Sequence, residues 1–375
     1  MRYYFIVGEA SGDMHAANLI KELKIVDNEA IIRGWGGDKM QSQGLTLVKH
    51  YRDHSFMGIG RVVKNIFKIF ANFRDCKKDI LEFSPDVLIL VDYSGFNLRM
   101  AKWAKAQNLK VFYYISPQIW ATRANRVHKI KKYVDEMLVI LPFEPDFYQK
   151  YDYKVHFVGH PLLDELAKFQ PNPDFLQSNK LTDKTIIALL AGSRKQEIEA
   201  ILPVMLQVVR EFPQFQFVIA AAPAQSLDYY QTIIDNTNRL YPNLQIVENQ
   251  TYNLLAVSKL ALVASGTATL ETALLGVPQV VCYKTSPFLF WLVKKIIKVK
   301  YIALVNLILD KPAVCELIQA DLNPQRLKIE VENLLNDGDK KAALEQNYTQ
   351  LKTVLGEGGA SARAANLIKN LLIKR

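Results

Sequence analysis

With 375 residues, half of them apolar, the chain is long enough for two domains that each bury a core, which excludes the disordered class. Its 47 basic and 37 acidic residues leave a formal charge of +10, favouring a partner that carries phosphates or an anionic membrane surface. Cys76, Cys282 and Cys315 are odd in number and widely spaced, which argues against a disulfide framework and a zinc knuckle and suits a reducing compartment.

Met1 to Val7 is too short for a signal peptide and reads as a first strand. The loop Gly8-Glu9-Ala10-Ser11-Gly12-Asp13 follows, then a helical pattern through Leu19, Ile20 and Leu23. Only Gly8 and Gly12 fit the dinucleotide fingerprint, and two acids in the loop would repel a pyrophosphate, so polar or catalytic duty is the better expectation. The competing reading is that these acids complement a helix dipole. Ile31 to Gly37 and Met40 to Gly44 read as strand and turn. Between Met57 and Phe73, bulky apolar residues including Val63, Phe67 and Phe70 share a broad face opposite Arg61, Lys64 and Lys68. Such a face either packs on a core or meets an acyl chain or bilayer.

Asp86 to Val91 has the continuous apolar run of a central parallel strand. It ends on Asp92, the best-placed carboxylate of the first half, because open α/β sheets carry their chemistry at the C-terminal strand ends. The alternative is that Asp92 caps the next helix. Lys110 to Ile115 is the next strand, followed by a basic run of Arg123, Arg126, His128, Lys129, Lys131 and Lys132 that forms a solvated surface or binds phosphate or lipid. No helix-turn-helix, zinc-finger or aromatic-basic RNA signature accompanies it, so nucleic acid is not the expected partner. Strands at Met137 to Leu141 and Val155 to Val158 lead to the linker Gln170-Pro171-Asn172-Pro173-Asp174.

The second half repeats the alternation. Thr185 to Leu190 is a strand, Gly192-Ser193-Arg194 a turn and Glu197 to Phe212 a helix; strands follow at Phe215 to Ala221 and Leu244 to Val247. Leu260 to Ala264, Ser265-Gly266-Thr267 and the Leu270 to Leu275 face then read as strand, tight turn and helix. A helix start rich in Ser, Thr and Gly suits a phosphate, and Glu271 one turn on suits a sugar hydroxyl; a plain Ser/Thr-capped crossover helix is the other reading. Pro287 to Ile302, with Phe288, Phe290, Trp291, Lys294, Lys295 and Lys298, is too interrupted by lysine to span a bilayer but suits its anionic surface, or forms a core helix with a charged back. Glu316 and Gln319 are one helical turn apart and are expected to face one cleft with Asn306. The last sixty residues read as helical. His50/His54 and His156/His160 lack a metal-site context, so no metal is expected.

The alternation predicts an α/β chain of two doubly wound Rossmann-like domains facing across a cleft, 1–170 and 171–345. A helical tail, 346–375, returns to the first domain or pairs with a second copy as a homodimer.

Gly8 to Asp13, Gly36-Gly37 with Met40, Met57-Gly58, Asp92 with Phe96-Asn97, Ser116-Pro117 with Trp120, Phe157 to His160, Gly192-Ser193-Arg194, Ser265 to Glu271 and Asn306 together resemble the lipid-A-disaccharide synthase family. The resemblance runs in order over nearly the whole chain. It implies a glycosyltransferase B fold and transfer, with inversion, from a UDP-2,3-diacylglucosamine donor to 2,3-diacylglucosamine 1-phosphate, giving a β(1→6) disaccharide and UDP. It implies lipid-linked sugar substrates, peripheral attachment to the cytoplasmic face of the inner membrane, and no cofactor. Asp92 would be the general base and Glu9 would organise the acceptor side, with Ser11, Asp13, Met57, Gly58 and Asn97 in the acceptor loops. Arg194, Ser265, Gly266 and Thr267 would neutralise the diphosphate, Glu271 would hold the ribose, and Asn306, Glu316 and Gln319 would complete the donor side. The chain departs from the family pattern at Tyr93-Ser94, Thr122 and Val305, where Ala-Pro, Trp and Pro are usual. A UDP-sugar epimerase and a non-catalytic nucleotide- or lipid-binding protein are the competing functions.

Overall fold

The computed structural model describes residues 1–54, 66–122, 124–223, 225–287, 290–291 and 299–373. The chain divides into two compact units, Met1–Ala167 with Glu357–Arg375, and Lys168–Gly356. Each is a parallel sheet with helices on both faces.

Among the described residues, the first unit holds seven parallel strands: β1 (Arg2–Val7), β2 (Ile31–Gly36), β3 (Thr46–His50), β4 (Val87–Val91), β5 (Val111–Tyr114), β6 (Glu136–Val139) and β7 (His156–Phe157). Their order is β3-β2-β1-β4-β5-β6-β7. The sequence direction reverses between β1 and β4, which pair in register with Val7 opposite Val91. Both strands are wholly apolar where they meet, and β4 is inaccessible along its length, as a strand covered on both faces requires.

The second unit repeats this plan with β8 (Ile186–Leu190), β9 (Gln216–Ala221), β10 (Leu244–Glu248), β11 (Ser258–Ala264), β12 (Gln279–Tyr283) and β13 (Cys315–Ile318), ordered β10-β9-β8-β11-β12-β13. Here the reversal falls between β8 and β11, with Leu190 opposite Val263. In such sheets the crevice beyond the carboxyl ends at the reversal is where ligands bind.

Three expectations need correcting. Met40, expected to open a turn, lies in a short helix, Asp38–Ser42, and a strand not expected from the sequence follows at Thr46–His50. Glu316 belongs to the parallel strand β13, so it and Gln319 are not on one helical face. Helix Gly338–Leu355, part of which was assigned to the tail, lies wholly in the second unit. Leu344, Tyr348 and Leu351 are buried there, and the Tyr348 hydroxyl donates to the Val277 carbonyl at 3.0 Å.

The final helix, Ala360–Ile373, packs on helix Ala10–Val26 of the first unit. Asp164 fixes its start by accepting from the backbone N–H groups of Gly359, Ala360 (3.2 Å) and Ser361 (2.9 Å). This is helix capping by a side chain distant in sequence, satisfying donors that the helix itself leaves open. Lys369 closes the other end on Asp27 at 3.6 Å.

Helix Ile66–Phe83 turns Cys76, Ile80 and Phe83 inward, and Phe73 stacks on Phe96 at 4.2 Å between ring centroids. Phe67 and Phe70 point the other way, 87% and 66% exposed. Among the described residues, no helix is long and apolar enough to cross a membrane.

Candidate active site

The reversal in the first sheet brings the two candidate carboxylates onto neighbouring strand ends. Glu9 follows β1 as the extended N-cap of helix Ala10–Val26, and Asp92 follows β4. Asp92 and Tyr93 both hold left-handed backbone, with φ of 45° and 46°. Ile115, just after the adjacent strand β5, has φ of 66°, which a β-branched residue adopts only under constraint. Such strain at neighbouring strand ends is the pattern of a functional site.

The surroundings that hold this backbone are specific. The Tyr113 hydroxyl donates to the Asp92 carbonyl oxygen. Asn97 Nδ2 donates to the carbonyls of Asp92 (2.9 Å), Val91 (3.1 Å) and Ile6 (3.3 Å), tying the ends of β1 and β4 together. The Tyr93 ring lies over Gly8, where any Cβ would collide with it, and stacks on Phe96 at 5.4 Å. Burial, helped by the charge of Glu9, pushes the Tyr93 hydroxyl up to about 12.

Two residues expected in the acceptor loops have other work. Asn97 is inaccessible and its Nδ2 is directed at the backbone just described, while its Oδ1 is buried without a partner among the described residues. Asp13 is buried and accepts from the N–H groups of Gly37 (2.8 Å), Lys39 (3.1 Å) and Met40 (3.2 Å), capping helix Asp38–Ser42. Both are corrected from substrate-facing to positioning residues: a short polar side chain buried among open backbone groups is worth more as their partner than exposed. Ser11 is exposed on the first turn of its helix. Met57, Gly58, Val63, Phe288, Lys294, Lys295 and Lys298 lie outside the described residues.

In the second unit the reversal brings together the β8 and β11 loops. Gly192 (φ 110°) turns the chain against Glu197, and Arg194 caps helix Lys195–Val209 with its guanidinium 3.0 Å from Glu197 Oε1. That pair is exposed on the Arg194 side, so it holds the arginine only weakly. Gly266 (φ 151°) makes the turn into helix Thr267–Leu274, with open space where a Cβ would stand, and Gly266 and Thr267 are both exposed. Glu271, on that helix, accepts from the Tyr252 hydroxyl at 3.1 Å, and burial raises its carboxyl above the ordinary range.

Ser265 is also a structural link. Its hydroxyl donates to the Ile302 carbonyl at 3.0 Å, while Glu316 accepts from the N–H groups of Ile302 and Ala303 and from Asn306 Nδ2 at 2.8 Å. Asn306 in turn bridges Val314 through both its N–H and its carbonyl. Gln319, with φ of 54°, pairs with Thr285 N and O at 2.7 and 3.0 Å. Glu316 and Gln319 therefore grip the chain on the two sides of the segment 286–301. A cavity of about 530 Å³ lined by Asn306, Glu316, Leu344 and Asn347 lies beside this bracket and includes none of Arg194, Ser265, Thr267 or Glu271.

Several residues here went unnoticed in the sequence. Tyr113 sits in the ordinary apolar run Val111 to Tyr114, and Tyr252 in the polar stretch Gln250 to Asn253, and neither has a distinctive spacing. Glu144 is buried and accepts from Ile140 and Leu141 N–H (3.1 and 2.9 Å), and burial pushes it from the ordinary 4.5 up to about 7. Beside it, Ser116 Oγ and the Tyr148 hydroxyl meet at 2.6 Å and Trp120 packs edge-on against Phe143 at 4.9 Å, fixing the loop that follows β5. The signal available was Ser116-Pro117 with Trp120, but their partner is distant in sequence. No group of three metal-ligating side chains occurs among the described residues.

The two-unit architecture is similar to solved structures at low identity. The UDP-GlcNAc 2-epimerase from Neisseria meningitidis bound to UDP-GlcNAc superposes with a TM-score of 0.70 at 15% identity, covering 100% of both chains. The glycotransferase of kitacinnamycin gives 0.64 at 14%, covering 99% of each. Likeness at that identity establishes the glycosyltransferase B fold and nothing of the reaction. The sequence comparisons go further: the model of the lipid-A-disaccharide synthetase family matches residues 3–370. Lipid-A-disaccharide synthase of Coxiella burnetii is 37% identical over 372 residues, covering 98% of this chain and 97% of the relative. That of Trichlorobacter lovleyi is 37% identical over 376 residues, covering 99% and 97%. A match of this length in both directions leaves no part of the fold unaccounted for: the chain belongs to the lipid-A-disaccharide synthetase family and is a glycosyltransferase.

Proposed function

We propose that the protein transfers a 2,3-diacylglucosamine unit from its UDP derivative to the 6-hydroxyl of 2,3-diacylglucosamine 1-phosphate, with inversion. In this reaction the Asp92 carboxylate takes the proton of the 6-hydroxyl as that oxygen bonds to the donor C1. The bond from C1 to the diphosphate oxygen breaks, and UDP leaves with the electron pair. Glu9, on the neighbouring strand end, orients the acceptor. The backbone N–H groups at Gly266 and Thr267, at the start of their helix, with the Arg194 guanidinium, stabilise the charge that develops on the leaving diphosphate, so the reaction proceeds without a metal. Glu271, oriented by Tyr252, accepts from a ribose hydroxyl. Ser265, Asn306, Glu316 and Gln319 act behind these groups by fixing the 285 and 302–303 backbone.

The observation that carries this reading is the placement of each candidate set at the strand-order reversal of its own sheet. Glu9 and Asp92 flank one reversal, and Arg194 and Ser265 to Thr267 the other. The exposed Phe67, Phe70 and Trp291 suit lipid-linked substrates and a membrane surface, which on the charge of the chain is an anionic one at the cytoplasmic face. The test is incubation of the purified protein with both sugars; disaccharide and UDP should form in equal amounts, and the absence of both would falsify the reading. Epimerisation of a UDP-sugar without an acceptor would favour the competing enzyme class.

A further inference from the structure

We propose that Arg126 holds the phosphate of the acceptor sugar and thereby sets which acceptor the site takes. This rests on the glycosyl transfer proposed above and assigns a residue to a part of the substrate that the reaction itself does not touch.

Arg126 ends the short turn Ala124–Arg126 and is followed directly by helix Val127–Tyr133. That helix buries Val127 and Ile130 in the first unit's core, so the arginine springs from an anchored point. Its Nη1 stands 3.4 Å from the hydroxyl of Ser94, two residues after Asp92. The charges of Asp92 and Arg126 act with opposite sign on the Tyr113 hydroxyl, which itself donates to the Asp92 carbonyl. A half-buried guanidinium thus stands at Ser94, in the loop that carries the candidate base. Two other cations of the same run turn elsewhere: Lys131 donates to the Tyr151 carbonyl at 3.0 Å, and Lys132 lies over Tyr133.

A guanidinium held in the loop that follows the candidate base is placed to meet an anionic group of the acceptor. A guanidinium's planar fork matches a phosphate monoester, and a serine hydroxyl beside it supplies a further donor. Acceptor recognition is then carried by a residue outside the reacting atoms.

The test compares the phosphorylated acceptor with the same sugar lacking its phosphate. Arg126→Gln should lose about 10- to 100-fold in kcat/KM on the phosphorylated acceptor, with donor KM unchanged. On the dephosphorylated sugar, wild type should already have lost most of that factor and the substitution should remove little more. Arg126→Lys should fall between, and carries the same comparison if Arg126→Gln no longer binds UDP in calorimetry. An equal loss on both acceptors, or no loss on either, overturns the assignment. A wild-type protein that makes no disaccharide from either acceptor instead overturns the proposed reaction.

Discussion

At the scale of single residues, Asp92 and Glu144 are two carboxylates put to different uses by their surroundings. Asp92 lies at a strained strand end, whereas Glu144 is shut inside the fold behind the neighbouring loop. Asp92→Asn keeps the shape but removes proton acceptance, so turnover should drop by about 10²- to 10⁴-fold in a disaccharide assay; near-normal turnover would remove Asp92 from the role. Glu144 predicts a pH effect on stability. Its folded pKa of about 7 lies above the ordinary 4.5, so the native state holds the proton more tightly than the unfolded chain. Stability from this group is therefore complete below the ordinary value and falls as pH rises towards 7. Glu144→Gln should flatten that slope in melting temperatures taken across the window, and an unchanged slope would assign it to another group.

At the scale of elements, the last helix and the helix Ile66–Phe83 show how the same amphipathic pattern has two outcomes. Helix Ala360–Ile373 is covered by helix Ala10–Val26 and capped by Asp164. Asp164→Ala leaves its starting N–H groups without that acceptor and should cost about 1–2 kcal/mol in denaturant unfolding. Amide exchange should quicken in residues 360–373; uniform exchange across the chain would mean the cap is not what holds the helix. Phe67 and Phe70 instead remain in water, forgoing roughly 1.5–3 kcal/mol each that burial would supply. Replacing both by Glu should alter stability by no more than about 0.5 kcal/mol while releasing the protein from anionic vesicles. Undiminished co-sedimentation would reduce the two rings to incidental surface.

At the scale of the molecule, two sheets whose orders agree over six strands each carry one set of candidate residues. The candidate base belongs to the first unit and the candidate leaving-group site to the second. Separate cores predict separable losses: the Asp92→Asn protein should bind UDP with wild-type affinity in calorimetry. A weakened affinity would show that the substitution disturbs more than its own unit.

The sequence by itself determined the alternation of strands and helices, and it identified Glu9, Asp92, Arg194 and Ser265 to Thr267 as loop residues following strands. Short apolar runs ending in Gly, Ser and acids are local signals, legible without any contact. It did not determine strand order, because parallel strands pair across dozens of residues and the runs that pair are chemically alike. Nor did it separate Asp13 and Asn97 from the residues facing substrate. A polar side chain in a loop has the same spacing whether it meets a ligand or an open backbone N–H, and only the tertiary structure supplies the partner. The same holds for Glu316 and Gln319, whose three-residue spacing resembles a helical turn until the pairing of β12 with β13 makes one of them a strand residue.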